Sequence, residues 1–311
     1  MSSVALIIPT YNNLPELRRC LAALTQQTYT DFTAYVCVDG STDETLPFLE
    51  KYAPPFVRTL THPDGRNRGR NATRNLALPY LSSHQWVAFL DSDSIPLPDW
   101  LENFFAASPQ TDEVLLGKII YFSHENPNIW KSYLAWREKM RSRHALSHKN
   151  FITINAFLSC QALLQVGGMD TQMRKHGLGD VELGWRLQAA GYRFRYIATA
   201  RVWSTVQQTP LQALIRLYDM ARHNLPYLHR KHSETRHSLF GGIWLTHPSR
   251  KLLLRPWLSP LIARALLRTP SLYPKWIVRW VMRYLVFYAV ARGFWGLRLG
   301  LPPLERESPS L

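Results

Sequence analysis

The chain is poor in cysteine and has no cluster of cysteines. Cys20, Cys37 and Cys160 are the three cysteines among 311 residues, and they lie far apart, with no C-x-x-C pair. An odd number of widely spaced cysteines excludes a disulfide framework and a cysteine-based zinc site. It favours a compartment that keeps thiols reduced.

Long apolar segments are also scarce. The N-terminal sequence MSSVALIIPTYNN lacks a basic leader, and its apolar part has only the length of a strand, so we expect no signal peptide. The uncharged stretch from Tyr284 to Ala291 is far shorter than the roughly 20 residues that span a bilayer. Hydrophobic residues nevertheless form 46% of the chain, which excludes a disordered protein.

Acidic residues are rare in the C-terminal third. Residues 1–200 carry a net charge of +2 and residues 201–311 a net charge of +13, out of a total of +15. No acidic residue occurs between Glu234 and Glu305. This asymmetry predicts a nearly neutral N-terminal domain over residues 1–205 and a basic, Trp/Arg-rich helical extension over residues 206–311.

Short apolar runs alternate with helical patterns in the N-terminal part. The run Val4–Ile8 is typical of a strand buried on both faces of a sheet, and the leucine spacing over residues 14–24 is helical. Further strands are predicted over residues 32–38, 57–61, 85–90, 113–121 and 193–197, and further helices over residues 45–51, 70–78 and 130–143 and up to Ala190. This alternation predicts an open, mostly parallel α/β sheet flanked by helices.

Two aspartates directly follow the fourth predicted strand. The sequence WVAFLDSDS places Asp91 and Asp93 one residue apart, and such close carboxylates raise each other's pKa unless a cation lies between them. Mg²⁺ and Mn²⁺ prefer oxygen ligands. A solvated turn or a helix cap is the alternative. Asp39 follows the second strand at the same sheet edge, where ligands bind in such folds, which favours a metal–diphosphate site.

Six motifs occur in a fixed order along residues 3–205. They read IIPTYNN (7–13), VDGSTD (38–43), NRGRNATRN (67–75), FLDSDS (89–94), VGGMD (166–170) and GDVELGWRL (179–187). This ordered set resembles the inverting family 2 glycosyltransferases, and the resemblance implies the GT-A (nucleotide-diphospho-sugar transferase) fold. It also implies transfer of a sugar from a nucleoside-diphosphate sugar to an acceptor hydroxyl by metal-assisted direct displacement.

The resemblance assigns roles to particular residues. It places in the nucleotide-sugar site Pro9, Thr10, Tyr11, Asp39, Arg74, Asn75 and Asp91. Asp93, with Asp91 beside it, would hold a divalent cation, Mn²⁺ or Mg²⁺. The cation would stabilise the charge that develops on the departing diphosphate.

Asp180 matches the catalytic aspartate of the family. An attacking hydroxyl must lose its proton, and a carboxylate within hydrogen-bond reach can act as the general base. The simpler interpretation of Asp180 is a helix N-cap. Glu182 is the reserve candidate for the base, although an acid in the first turn of a helix is also ordinary there.

The sequence departs from the family pattern at several positions. Val38 stands where an acidic residue is usual, Gly179 replaces the usual Glu, and Ser204 lies where many relatives have a metal-binding His. His176 is either a substitute ligand or a surface histidine. The Q-x-x-R-W motif of processive synthases is missing, which favours transfer of single sugars.

The basic extension predicts a membrane-surface helix. Lys275, Arg279 and Arg283 recur every four residues, and Trp276 and Trp280 form an adjoining stripe. Such a helix suits an anionic membrane, so we expect a cytoplasmic protein bound peripherally to the inner face of the cell membrane. Packing on the catalytic domain and nucleic-acid binding are the alternatives. Nucleic acid is disfavoured because no recognition motif accompanies the charge.

Three functional hypotheses follow. The first is a glycosyltransferase whose donor is a UDP-sugar, a preference that rests on the resemblance alone, and whose acceptor is lipid-linked or a surface glycan. The second is a nucleotidyltransferase, for which a Gly-rich basic signature near the first strand is expected and PTYNN is not one. The third is an inactive transferase-like membrane or nucleic-acid adaptor, which the departures at Gly179 and Ser204 keep open.

Overall fold

A computed structural model describes residues 3–123, 129–143, 145–173, 175–233, 275–298 and 300. The chain forms two compact units. The first comprises Met1–Phe122, Arg137–Arg174 and Gly179–Thr205, and the second comprises Ser123–Trp136, Lys175–Leu178 and Val206–Leu311. Trp244 and Trp257 of the basic extension lie outside the described residues.

Eight strands form one mixed sheet in the first unit. They are β1 (Val4–Thr10), β2 (Phe32–Val38), β3 (Val57–Thr61), β4 (Trp86–Leu90), β5 (Ser94–Pro96), β6 (Glu113–Phe122), β7 (Asn155–Ser159) and β8 (Arg193–Thr205). Their order across the sheet is β3-β2-β1-β4-β7-β6-β8-β5. Strands β1 to β4 pair in parallel, whereas β7 is antiparallel to both β4 and β6.

Helices flank this sheet and continue into the second unit. They are α1 (Leu14–Leu24), α2 (Thr45–Tyr52), α3 (Arg70–Asn75), α4 (Trp100–Ala106), α5 (Ile129–Arg141), α6 (Cys160–Gln165), α7 (Gly179–Ala189), α8 (Pro210–Lys231) and α9 (Lys275–Phe294). Two short 3-10 turns cover Leu78–Ser83 and His148–Asn150.

The apolar patterns that predict the strands correspond to buried positions. Every residue of β1 and of β4 is buried, because both strands lie inside the sheet with a core on each face. The expected open α/β sheet flanked by helices is therefore observed, with antiparallel strands added beyond β4.

Two predicted boundaries are wrong. The helix expected over residues 70–78 ends at Asn75, and a 3-10 turn begins at Leu78. Pro79 is consistent with the break, because it has no N–H to donate to the carbonyl of Asn75, four residues earlier, as a continuing α-helix would require. The last strand runs from Arg193 to Thr205 rather than to Ile197, since its second half pairs with both β6 and β5.

The pairing between β6 and β8 contains one irregularity. The pairing of β6 with β8 shifts register between Gly117 and Lys118. The buried side chain of Asn155 fills the gap, donating to the carbonyls of Ala200 (3.0 Å) and Lys118 (3.1 Å) and accepting from Trp100 Nε1 (2.9 Å). A Cβ at Gly117 would overlap this amide.

The second unit contains a close helix pair. Thr209 and Gln212 form a capping box at the start of α8, with Pro210 in the first turn, where a proline costs no helix hydrogen bond. Gly293 of α9 has no room for a Cβ, because the main chain of Tyr218 in α8 lies against it. Among the described residues, none of the helices is both long and apolar enough to cross a membrane.

Candidate functional site

The carboxyl ends of three parallel strands lie side by side. Thr10 at the end of β1 is in register with Val38 at the end of β2, and Ile7 of β1 is in register with Phe89 of β4. Pro9 and Thr10 end β1, and the loops after these strands carry Tyr11, Asp39 and the Asp91/Asp93 pair. The structure therefore brings the first, second and fourth motifs to one edge of the sheet.

Side chains link the loops at this edge. Asn12, which has a positive φ of 45°, accepts a hydrogen bond from Thr42 N at 2.7 Å. Asp43 accepts from Thr45 N (3.2 Å) at the start of α2 and from Leu14 N (3.3 Å) at the start of α1. Its carboxylate thus stabilises the ends of two helices, and the P-T-Y-N-N and D-G-S-T-D loops form one structure.

Asp39 is buried and holds the loop before α3. Its carboxylate accepts main-chain hydrogen bonds from Arg68 N at 2.7 Å and Gly69 N at 3.1 Å. His62 Nε2 lies 3.3 Å from the same carboxylate. Asp39 therefore fixes the position of the motif NRGRNATRN, and its predicted contact with the base stays a prediction.

The other predicted nucleotide residues differ in their environment. Pro9 and Thr10 are buried, and Thr10 Oγ1 makes no hydrogen bond within the described part of the chain. Tyr11 is half exposed. The side-chain amide of Asn75 is fully engaged with the main chain of Met169, donating to its carbonyl and accepting from its N–H, both at 2.8 Å. Asn75 thus holds the V-G-G-M-D loop.

Asp91 is neutralised by arginine. Arg74, whose side chain is only 4% exposed, donates from Nη2 to Asp91 Oδ1 at 2.7 Å. Arg70, one helical turn earlier, lies 4.0 Å from Asp91 Oδ2 and is 56% exposed. Arg70 is therefore the solvent-accessible guanidinium of the two, and Arg74 is the buried one.

Asp93 is the carboxylate with unfavourable surroundings. Burial, together with the neighbouring charge of Asp91, raises the pKa of Asp93 to about 6. A divalent cation would relieve both effects, and two carboxylates are suitable donors for Mg²⁺ or Mn²⁺. The residues present therefore fit such an ion.

No cluster of three or more His, Cys, Asp or Glu side chains with metal-site geometry occurs in the described ranges. Ser204 is paired in register with Ser94, the residue after the D-S-D turn, so the position lacking a histidine lies beside this turn. His176 lies in the exposed segment that precedes α7. The diphosphate and water could supply further metal ligands, with His176 as the alternative.

Asp180, in the first turn of α7, is close enough to Arg74 and Asp91 to be affected by their charges. Its Oδ1 accepts a hydrogen bond from the buried hydroxyl of Thr153 at 2.9 Å. Burial raises the pKa of Asp180, and the nearby charges of Arg74 (lowering it) and Asp91 (raising it) also act on it. The fold thus brings together two carboxylates that are far apart in sequence.

Glu182 forms a buried ion pair with Arg186. It is completely buried and pairs with Arg186, whose Nη2 lies 2.6 Å from Glu182 Oε2 and whose Nε also donates to both carboxylate oxygens. Arg186 in turn donates to the carbonyls of Val166 and Gly168. The reserve base is therefore engaged in holding the V-G-G-M-D loop.

Sequence reasoning missed three residues of the site. Arg70 could have been found from its spacing of four from Arg74, which puts both on one face of a helix. Thr153 carries no signal in sequence, and Asn71 lies within the motif NRGRNATRN, but the contacts of both join segments that are distant along the chain. Their importance depends on tertiary structure alone.

Comparison with known proteins gives consistent results. The sequence profile of Glycosyl transferase family 2 matches residues 5–169. Glycosyltransferase AglE of Haloferax volcanii is 27% identical over 196 residues, covering 62% of this chain and 64% of that protein. Pre-mycofactocin glycosyltransferase of Mycobacterium tuberculosis is 31% identical over 208 residues, covering 64% of this chain and 42% of that protein. The match thus spans less than two thirds of either relative.

Solved structures show the same fold. Mannosyltransferase PcManGT from Pyrobaculum calidifontis, in complex with GDP-Man and Mn²⁺, superposes with a TM-score of 0.64 at 21% identity, covering 95% of this chain and 88% of that chain. S. aureus TarS 1-349 in complex with UDP gives a TM-score of 0.54 at 18% identity, covering 94% and 92% respectively. The GT-A fold expected from the motifs is confirmed, and the chain belongs to glycosyl transferase family 2.

Proposed function

We propose that the protein is an inverting glycosyltransferase that moves a single sugar from a nucleoside-diphosphate sugar to an acceptor hydroxyl. The observation that carries this proposal is that Arg74 pairs with Asp91 at 2.7 Å and that its charge also acts on Asp180. Asp180 and the turn that holds Asp91 and Asp93 therefore lie near one guanidinium group. One carboxylate is then available for the acceptor and the pair for the departing diphosphate. We propose residues 1–205 as the catalytic domain.

The leaving-group side would consist of Asp91, Asp93 and the two arginines of α3. Negative charge develops on the diphosphate as the sugar leaves, and fixed cationic groups stabilise it. Arg74 holds the Asp91 carboxylate in place, and the exposed guanidinium of Arg70 would be available to a phosphate. A bound Mn²⁺ or Mg²⁺, held by Asp93 and Asp91, would supply further Lewis-acid stabilisation.

The acceptor side would depend on Asp180. As the acceptor oxygen attacks the anomeric carbon, the Asp180 carboxylate takes the hydroxyl proton and the bond to the diphosphate breaks. A pKa raised by burial strengthens the base, and the hydrogen bond from Thr153 orients it. Attack opposite the leaving group inverts the configuration of the sugar.

The donor and acceptor are proposed only by class. PcManGT is described with GDP-Man and Mn²⁺, and TarS with UDP and with UDP-GlcNAc. We propose a UDP-sugar as the first donor to test, with GDP-mannose as the second. The acceptor is proposed to be a lipid-linked or surface glycan.

We also propose that α9 binds an anionic membrane surface peripherally, at the cytoplasmic face. Trp276 and Trp280 are 60% and 62% exposed, and Arg279 and Arg283 are exposed beside them. Arg283 lies over the Trp280 ring, 4.9 Å from its centroid. Exposed tryptophan next to arginine suits the boundary between headgroups and acyl chains.

The donor is tested with a panel of UDP- and GDP-sugars, with and without Mn²⁺, followed by release of the nucleoside diphosphate. We expect one donor to be consumed far faster than the others, with a product of opposite anomeric configuration by NMR. Release of pyrophosphate from a nucleoside triphosphate would favour the nucleotidyltransferase. Failure to bind any nucleotide would favour the inactive adaptor.

A further inference from the structure

Gly179, the residue before Asp180, has no room for a side chain, although its backbone conformation is one that other residues can adopt. Its φ lies outside the left-handed region, so an L-residue could adopt its backbone. A Cβ at this position would lie 2.6 Å from Asn71 Nδ2 and 2.8 Å from Asn71 Oδ1. The amide of Asn71 therefore occupies the space where a side chain at position 179 would stand.

Asn71 is anchored on the loop that leads into α7. Its Nδ2 donates to the carbonyl of Asp170 at 2.8 Å, and the carbonyl of Met173 lies 3.5 Å away. The amide is thus held between the loop after V-G-G-M and the first residue of α7. Because Asn71 fits closely against Gly179, its position sets where α7 begins.

The short helix α3 therefore contacts both halves of the proposed site. Arg74 holds Asp91 at 2.7 Å, and Asn71, three residues earlier, packs against the residue next to Asp180. Residues three apart in a helix lie on nearly the same face, so Asn71 and Arg74 lie on one face of α3. Through them, one turn of helix contacts Asp91 directly and the residue next to Asp180. We propose that Asn71 is a positioning residue, which sets the placement of Asp180 relative to Asp91.

This inference rests on the proposed role of Asp180 as the base. The main test is a pair of substitutions, G179A and N71A, alone and together. G179A introduces a methyl group against the Asn71 amide, so we expect kcat to fall about 100-fold, as for a catalytic group displaced by about 1 Å. N71A removes the anchor and should lower kcat about tenfold.

The double variant N71A/G179A distinguishes the contact from general damage. Removing the amide makes room for the new methyl group, so the double variant should recover to about the activity of N71A. The Kd for UDP with Mn²⁺ should stay within about twofold of wild type in all three variants, because Arg74 and Asp91 are not altered. A mere loss of folding would weaken UDP binding as well.

The matched control is N75A combined with G179A. Asn75 lies on the same helix and holds the same loop through Met169. Gly179 has its nearest contacts with Asn71 instead, so N75A should not rescue G179A. Rescue by N75A, full activity of G179A, or a double variant no better than G179A would each overturn the proposal.

Thermal unfolding separates this inference from the proposed function. If the wild-type protein transfers no sugar from any donor, the proposed function fails. In that case the melting temperature still measures the contact between Asn71 and Gly179. G179A should melt below wild type, and N71A/G179A should melt above G179A; the opposite order would contradict the contact itself.

Discussion

The aspartates of the D-S-D turn have different partners. Asp91 is compensated by Arg74 and Arg70, whereas Asp93 is desolvated and repelled by Asp91. The third carboxylate, Asp180, has the Thr153 hydroxyl as its hydrogen-bond donor. These environments support separate tasks, with Asp93 suited to a cation and Asp180 suited to a proton.

The Thr153 hydroxyl should control the pH dependence of the reaction. Its hydrogen bond lowers the pKa of Asp180, against the larger opposite effect of burial. In T153V that pKa should rise further, because the carboxylate loses a hydrogen bond that stabilises its charged form. Because the base must be deprotonated, the acidic limb of the kcat profile should move to higher pH.

The control for this prediction is T153S, which keeps the hydroxyl. Its kcat profile should overlay that of wild type. An unchanged acidic limb in T153V would show that the Thr153–Asp180 contact does not act on the catalytic group.

Asp93 should make the metal-free protein less stable at neutral pH than in mild acid. Its folded-state pKa of about 6 exceeds the ordinary value of 3.8, so its stabilising contribution is present below pH 4 and is lost as the pH rises through 6. The loss is on the order of 2 kcal/mol. Urea unfolding at pH 4.5 and 7 measures it.

Two comparisons identify the origin of that pH dependence. D93N should lose less stability than wild type between these pH values, and Mn²⁺ added at pH 7 should restore stability to wild type only. An equal pH dependence in D93N would assign the effect to another carboxyl group.

At the residue scale, the order of the motifs predicts which residues form the candidate site, but it does not predict which side chains contact each other there. Asp39, Asp91 and Asp93 were predicted to share one edge, because strands of known direction precede them, and the sheet has that arrangement. The i,i+4 spacing of Glu182 and Arg186 indicates the ion pair that the structure shows. Contacts such as Thr153 with Asp180 depend on chain folding and leave no local pattern.

At the scale of elements, Asn155 stabilises the junction between β6, β7 and β8. N155A would leave the buried Trp100 Nε1 and the carbonyls of Lys118 and Ala200 without this partner. We expect the free energy of unfolding to fall by about 2–4 kcal/mol, since each unsatisfied buried group costs about 1–3 kcal/mol. Chemical denaturation measures this change.

N103A provides the control for that prediction. The Asn103 amide donates to the carbonyl of Asp99 within its own helix turn. Its removal should cost about 1 kcal/mol or less. Similar losses in both variants would mean that Asn155 has no special place in the sheet.

The elements with continuous apolar runs were predictable, and the irregular ones were not. Strands β1, β2 and β3 and helix α1 have the predicted bounds or nearly so, because buried strands and amphipathic helices have distinct periods. The three-residue strand β5 forms because it pairs with the second half of β8, which itself also pairs with β6. That pairing depends on a partner more than 100 residues away.

At the scale of the whole molecule, charge is concentrated at one end of the chain. Residues 201–311 carry most of the net charge of +15. In α9 the exposed pairs Trp276/Trp280 and Arg279/Arg283 combine an apolar and a cationic surface. This combination supports the proposal of an anionic membrane partner.

Binding to vesicles tests this proposal. W276A/W280A and R279Q/R283Q should each reduce cosedimentation with vesicles of phosphatidylglycerol and phosphatidylcholine, the arginine pair by about tenfold or more. Binding of wild type should weaken as salt rises from 0.05 to 0.5 M, because the headgroup attraction is screened. R18Q/R19Q, altered on α1, is the charge-matched control.

Equal binding of all variants would contradict a role for α9. Binding to neutral vesicles as strong as to anionic ones would contradict the charge argument. Salt-sensitive binding to an oligonucleotide without any binding to vesicles would favour the nucleic-acid alternative.

The division of labour between Asp180 and Asp93 is the central claim, and one experiment tests it most directly. D180N and D93N are compared with wild type for turnover of the preferred nucleotide sugar and for the Kd of the nucleoside diphosphate with Mn²⁺. We predict that D180N lowers kcat by about 100-fold or more and leaves the Kd nearly unchanged. D93N should instead raise the Kd and make the binding of the nucleoside diphosphate less dependent on Mn²⁺. Turnover that is unaffected by both substitutions would contradict the account.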